Sequence, residues 1–133
     1  MWLYENKEIE SDAIDDYIGF VYCITNKLSG KKYIGKKLFK NVRRTKVKGK
    51  TRRKKTVKES DWKDYWGSNK TLQEDVKNLG EQNFQRNILR LCESKGECNY
   101  WEAKYQMQNE VLESDEWYND HIWVRVHRSH LKL

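Results

Sequence analysis

Tyr22 and Tyr33 stand eleven positions apart in Gly19-Phe20-Val21-Tyr22-Cys23-Ile24-Thr25-Asn26-Lys27-Leu28-Ser29-Gly30-Lys31-Lys32-Tyr33-Ile34-Gly35. A phenol can orient a water or, as phenolate, take its proton. Two strand-like runs around a polar, glycine-terminated turn form a hairpin signature. With the turn centred between Lys27 and Leu28, Tyr22 falls directly opposite Tyr33, and opposed residues project from one sheet face. The same pair could equally be an aromatic cross-strand contact that only stabilises the hairpin. Glu102 is the second residue of interest. On a helix opening near Glu97, the residues Cys98, Trp101, Tyr105 and Leu112 mark an inward stripe, and Glu102 borders it. A carboxylate there is costly unless an arginine or a metal ion meets it.

The elements that must position these groups follow from pattern. Residues 1–16 carry six Asp/Glu against Lys7 alone, with Ile9 and Ile14 as anchors, and read as an acidic, extended or partly helical arm. Strand patterning covers Tyr17–Ile24 and Lys32–Gly35. Lys36–Arg44 reads as a short helix with Leu38 and Phe39 inward. Periodicity is lost over Thr45–Lys58, which reads as a mobile basic loop insertion. Trp62, Tyr65 and Trp66 suggest a core corner or a surface for a nucleotide. Thr71-x-x-Glu74 resembles a capping box ahead of Leu72, Val76 and Leu79, with Gly80 as the stop. Phe84–Leu91 reads as a third strand. Ser94-x-x-Glu97 opens a helix that runs to about Leu112. Ile122, Val124 and Val126 alternate with polar and aromatic residues as a last strand, within a C-terminal extension over residues 121–133.

Length and charge narrow the class. A chain of 133 residues is expected to form one domain. From Lys31 to Lys58 there are 15 Lys/Arg and no Asp or Glu, whereas the remainder of the chain carries a net charge of −8. Such segregation calls for a polyanionic partner. Cys23, Cys92 and Cys98 show no CxxC spacing, which argues against a zinc ribbon or a disulfide framework and for a reduced, cytosolic protein. No run is long and apolar enough for a membrane span, and the first residues do not look like a signal peptide.

Val21-Tyr22, ten intervening residues and then Tyr33-Ile34-Gly35 resemble the signature of the GIY-YIG nucleases, with Phe20 where the first glycine of that motif stands. Ile24, Asn26 and Ser29-Gly30-Lys31 are similar to the family's connecting segment. Asp61-Trp62 to Gly67-Ser68, then Gly80, Asn83-Phe84, Ile88-Leu89 and Glu102, resemble phage GIY-YIG domains of the SegE-like type, so the likeness spans roughly residues 17–120. It implies an α+β, sandwich-like fold with a small antiparallel sheet of three strands flanked by helices. It also implies a metal-dependent endonuclease acting on double-stranded DNA, in phage a homing-like or DNA-processing enzyme of the host cytoplasm. By the same resemblance Glu102 matches the metal-binding glutamate, holding Mg2+ or Mn2+. Arg43 matches the catalytic arginine with Arg44 as its rival, and Asn119 the late active-site asparagine. Tyr22 would then orient or deprotonate the water, with Tyr33 hydrogen-bonding nearby. Lys36, Lys37, Arg44, Lys46, Lys48, Arg52, Arg53, Lys54 and Lys55 are the expected DNA contacts. A basic nucleic-acid-binding protein without catalysis explains the charge equally well. A metal nuclease of the HNH type is harder to assemble, since His121, His127 and His130 all lie near the C-terminus.

Overall fold

The computed structural model describes the backbone of residues 1–46, 48–49, 53–125 and 127–131, and their side chains except at residues 11–12, 42–45 and 53–55. Strands β1 (Trp2–Tyr4), β2 (Lys7–Glu8), β3 (Gly19–Asn26), β4 (Lys32–Leu38) and β7 (Phe84–Cys92) form one mixed sheet in the order β2-β1-β7-β3-β4. Strands β5 (Lys40–Lys46) and β6 (Arg53–Glu59) form a separate antiparallel pair. Helix α1 spans Lys70–Leu79 and helix α2 Lys95–Gln108. The three antiparallel strands expected are thus the β7-β3-β4 part of a five-stranded sheet. The extra two strands come from the acidic arm, where β1 pairs parallel to β7 through Trp2↔Arg86 to Tyr4↔Ile88. Trp2, with its indole N–H donating to the Trp62 carbonyl at 2.7 Å, anchors this arm more firmly than Ile9.

β3 lies between β7 and β4, and its aromatic and β-branched run is buried on both faces, as a strand covered on both sides must be. One face carries Phe20, Tyr22, Ile24 and Tyr33 against Phe39, Trp62, Leu72 and Val76. The other packs Val21 and Ile34 against Cys92, Cys98 and Val111 beneath α2. The corner at Trp62 belongs to the first of these cores, with Phe39 and Trp62 edge to face at 4.9 Å. Arg86 is buried within it, its guanidinium lying 4.6 Å from the Trp2 ring and 4.1 Å from the Trp66 ring. It donates to the carbonyls of Lys63 and Tyr65, which offset part of the cost of burying a charge.

Several expectations give way to a physical reason. The hairpin register places Tyr22 opposite Gly35 and Ile24 opposite Tyr33, so the two tyrosines share a face diagonally rather than directly. Asn26 sets this register. Its backbone exchanges bonds with Lys31 and Gly30, and its side-chain oxygen accepts from the amides of Leu28 and Ser29. The turn is therefore centred one residue later than its composition suggests. Lys36–Arg44 is not a helix, because its first residues extend β4 and the rest enter β5 after the Phe39 break. The basic insertion is not a structureless loop: it forms the β5–β6 ribbon, in register from Lys40↔Glu59 to Lys46↔Arg53 and supported by Val42, Thr45, Thr56 and Val57. α1 is capped by Asn69, whose side chain accepts from the Leu72 amide, and not by Thr71. α2 is capped by Ser94 as expected but ends at Gln108, leaving Leu112 half-exposed. Residues 122–125 form no strand, and Val126 lies outside the described residues.

Asn26 also donates to the Tyr118 hydroxyl at 3.1 Å, tying the turn to the segment that follows α2. Asn26→Ala leaves two turn amides without their acceptor and removes the tie to the Tyr118 hydroxyl, which keeps its bond to Asp75. It should cost about 1–3 kcal/mol, the usual loss when buried polar groups lose a partner. Urea denaturation measures it, and an unchanged midpoint would show that the turn holds its register without Asn26.

The candidate active site

β4 is an edge strand of the main sheet, so alternate backbone groups of it face away from β3 and need other partners. At Lys32 they pair with Glu116 and Tyr118 through backbone bonds. At Ile34 the Asn119 side chain accepts from the N–H at 3.1 Å and donates to the carbonyl at 2.8 Å, while Gln106 of α2 donates to the same carbonyl at 2.9 Å. One turn earlier on α2, Glu102 stands next to Lys36. Asn119, Glu102 and the Tyr33-Ile34-Gly35 strand are thus brought to one edge.

The phenols sit just inside that edge. Tyr22 and Tyr33 have ring centroids 6.2 Å apart. Gly35 makes this possible: a Cβ built on it would lie 2.5 Å from the Tyr22 hydroxyl oxygen and 2.8 Å from its Cζ. Tyr33 shares a hydrogen bond with the Ser68 hydroxyl at 3.0 Å and keeps slight solvent contact. Tyr22 is fully enclosed, and its hydroxyl makes no hydrogen bond of ordinary geometry among the described residues, although Tyr65 packs beside it. Burial pushes the Tyr22 phenol well above its usual pKa, with Tyr65, Tyr33 and Glu102 adding to the rise. Tyr33 is raised mainly by burial and partly relieved by Ser68. Both therefore stand as neutral phenols in the protein by itself, and Tyr33 is the one nearer to solvent.

Burial also raises the Glu102 carboxyl, opposed by Lys36, by His121 and by the Lys36 backbone amide. It forms no ion pair among the described residues. No cluster of three or more His, Cys, Asp or Glu suited to a metal occurs among them either. A single half-buried carboxylate fits a hard cation whose remaining ligands are waters and phosphate oxygens, which is how Mg2+ is commonly held. It does not fit a metal caged by the protein alone.

The expected DNA contacts divide into two groups. Lys36 donates to Asn99 on α2, and Lys37 pairs with Asp61 at 2.6 Å while lying 4.2 Å over the Tyr65 ring. These two line a groove with Asn41, Lys95 and Asn99. Asp61 is correspondingly held below the usual carboxylate range by its hydrogen bond and charge interaction with Lys37. Lys46 and Lys48 are exposed on the ribbon and its turn. The backbones of Arg43, Arg44, Arg53, Lys54 and Lys55 lie in β5 and β6, with Arg43 opposite Thr56. Their side chains, and all of Arg52, are outside the described residues. Sequence reasoning missed Gln106 and His121 as neighbours of the edge. Gln106 lies four residues beyond Glu102 on the same helix face, a spacing that could have flagged it.

The fold and the residues at this edge define a domain of the GIY-YIG endonuclease family, to which the chain belongs: the family model described as "Putative endonuclease segE, GIY-YIG domain" matches residues 2–122. The match takes in β1 and β2, which the motif resemblance did not reach. Of individual relatives, the segE protein of Enterobacteria phage T4, carrying the same designation, is 33% identical over 101 residues, covering 75% of this chain. The chain corresponds to 39% of the length of that relative. No solved structure matches the chain.

Two outcomes follow from this geometry. Gly35→Ala forces the Tyr22 ring to move and should cost about 1–3 kcal/mol, as overpacking does. Combining it with Tyr22→Phe removes the closest contact and should recover part of that loss; strict additivity in the double-mutant cycle would show the two groups do not meet. For Glu102, the folded pKa lies above the unfolded one, so stability falls as pH rises through the interval between them. Glu102→Gln carries no such charge. Its stability advantage over the parent should therefore grow from the ordinary carboxylate range upward and level off above the raised value. A pH-independent difference in urea midpoints would contradict the burial of this carboxylate.

Proposed function

We propose that this domain is a metal-dependent endonuclease that hydrolyses phosphodiester bonds of double-stranded DNA at the outer edge of β4. The observation that carries the reading is Glu102: a half-buried carboxylate without an ion-pair partner among the described residues, placed beside the tyrosine pair of a chain from this family. Such a group is a cost to the free protein and is relieved when a cation and a phosphate arrive together. Mg2+ or Mn2+ bound there would supply positive charge to the scissile phosphate. Lys36, adjacent to Glu102, and the cations of the ribbon offset the remaining charge of the DNA backbone. Arg43 or Arg44 is the proposed guanidinium for the phosphate oxygen, its planar fork matching that geometry.

The phenols then have distinct tasks. Tyr22 keeps its proton unless the charge of its surroundings changes, so it serves first as an O–H donor whose unmet hydrogen bond awaits an oxygen atom. Tyr33, in contact with Ser68 and near solvent, is the better placed to orient a water. Asn119 acts through β4, fixing the Ile34 peptide and so the strand that carries Tyr33. It is a positioning residue.

The test is cleavage of supercoiled plasmid by purified protein with and without Mg2+. The parent should cut only with the cation, and Glu102→Gln should retain binding and lose cleavage. Tyr22→Phe and Tyr33→Phe should remain folded while turnover drops by roughly 10²–10⁴, the range for a lost proton-transfer group. Tyr22→Phe should melt no lower than the parent, because the hydroxyl it removes makes no hydrogen bond of ordinary geometry among the described residues. Normal cleavage by Glu102→Gln would overturn the metal assignment. Binding without cleavage under every condition would return the domain to the class of non-catalytic nucleic-acid binders.

A further inference from the structure

We propose that the β5–β6 ribbon enters the major groove of the duplex beside the cleaved bond and reads base edges there, so that target selection resides in this ribbon. The inference rests on the nuclease reading above and specifies how that site would choose its substrate.

Four observations carry it. The ribbon is a blade with a fixed root. Phe39, at its base, is fully buried with its ring 4.6 Å from that of Phe20, and Ser60 closes the other end by donating to the Leu38 and Phe39 carbonyls. Beyond the root, Asn41, Lys46, Thr56, Val57 and Lys58 are all exposed, so these residues of the blade bury no face against their own protein. A two-stranded ribbon of this kind is marginal by itself and gains from a partner.

Its charge and register select the partner. Residues 40–59 hold eleven Lys/Arg and a single acid, Glu59. In register, Arg44 stands opposite Lys55 and Lys46 opposite Arg53. Like charges directly across a ladder are destabilising, and polyanion binding removes that penalty.

The shape and the remaining residues point to a groove rather than to phosphates alone. Strands of seven residues, at about 3.4 Å per residue, make a ribbon long enough to follow the major groove, which is wide enough to admit two paired strands. A tract that only neutralises phosphates needs no such order. Asn41 and Thr56, which the register places on one face of the ribbon, offer amide and hydroxyl groups of the kind that recognise bases. Finally, the groove lined by Lys36, Lys37, Asn41, Lys95 and Asn99 joins the root of the ribbon to the edge where Glu102 stands. Bases read by the blade would therefore lie next to the bond that is cut.

The experiment uses Glu102→Gln protein, expected to bind without cutting, and a randomised duplex library. Selection should yield a consensus, and replacing purines in that consensus by their 7-deaza analogues, which lack the major-groove N7, should weaken binding about five- to 150-fold per lost contact. Adding Asn41→Ala and Thr56→Ala together should flatten the consensus while leaving the salt dependence of binding unchanged. Lys58→Gln, by contrast, should weaken all sequences alike and reduce the salt slope by about 0.9. Circular dichroism of each variant verifies folding. The inference is overturned if no consensus emerges, if the double variant selects the same consensus, or if the 7-deaza analogues bind normally while a minor-groove ligand such as netropsin competes. Failure of the parent to bind any duplex would instead overturn the nuclease reading, and the inference with it.

Discussion

An edge strand cannot leave its outward N–H and C=O groups unpaired in a folded protein without loss of stability, and β4 is such a strand. The way this edge is covered organises much of the domain. The segment after α2 pairs with Lys32, Asn119 and Gln106 close over Ile34, and Glu102 stands beside Lys36. Groups that complete the backbone hydrogen bonding are thus the same groups, or near neighbours of the groups, expected to do chemistry. Structural need and function share one line of contacts, which is why helix α2 and the 116–119 segment must dock before the site exists.

The inner side of that edge is governed by space. Gly35 has no side chain because the Tyr22 hydroxyl occupies the volume above it, and Gly67, at φ 84°, lets the chain pass close by on the other side. Around them Trp2, Tyr65 and Tyr33 enclose a phenol with no hydrogen bond of ordinary geometry among the described residues. Leaving such a hydroxyl unmet costs stability, and natural proteins concentrate costs of this kind at functional sites.

Much of this was legible from residue pattern. The Tyr22–Tyr33 hairpin, α1, β7 and the start of α2 all carry local signals: β-branched runs, a Gly80 stop, a Ser94 cap. The family of the chain could be read from the same hairpin. What escaped was set by tertiary contacts. Asn26 shifted the turn by capturing two amides, a choice that turn composition alone does not decide. The acidic arm showed no strand period because three residues of β1 suffice when β7 supplies the ladder. The basic insertion hid its strands because charge obscured the β-branched residues at Val42, Thr45, Thr56 and Val57. At the site, Glu102 was visible as a carboxylate out of place, whereas the bond from Gln106 to Ile34 depends on a docking geometry that no local pattern encodes.

The parallel pairing of β1 with β7 has a consequence for how the chain is made. Trp2 is made before the other strands of this domain, yet its ladder partner is Arg86 and its indole bonds to Trp62. Closing so long a loop is slow relative to hairpin formation, and it cannot begin until most of the domain has emerged. The β3–β4 hairpin can form early, while the N-terminal strand waits as an extended, aromatic-bearing segment. During synthesis that segment is the part of the domain most in need of protection, and its capture by β7 marks completion of the sheet.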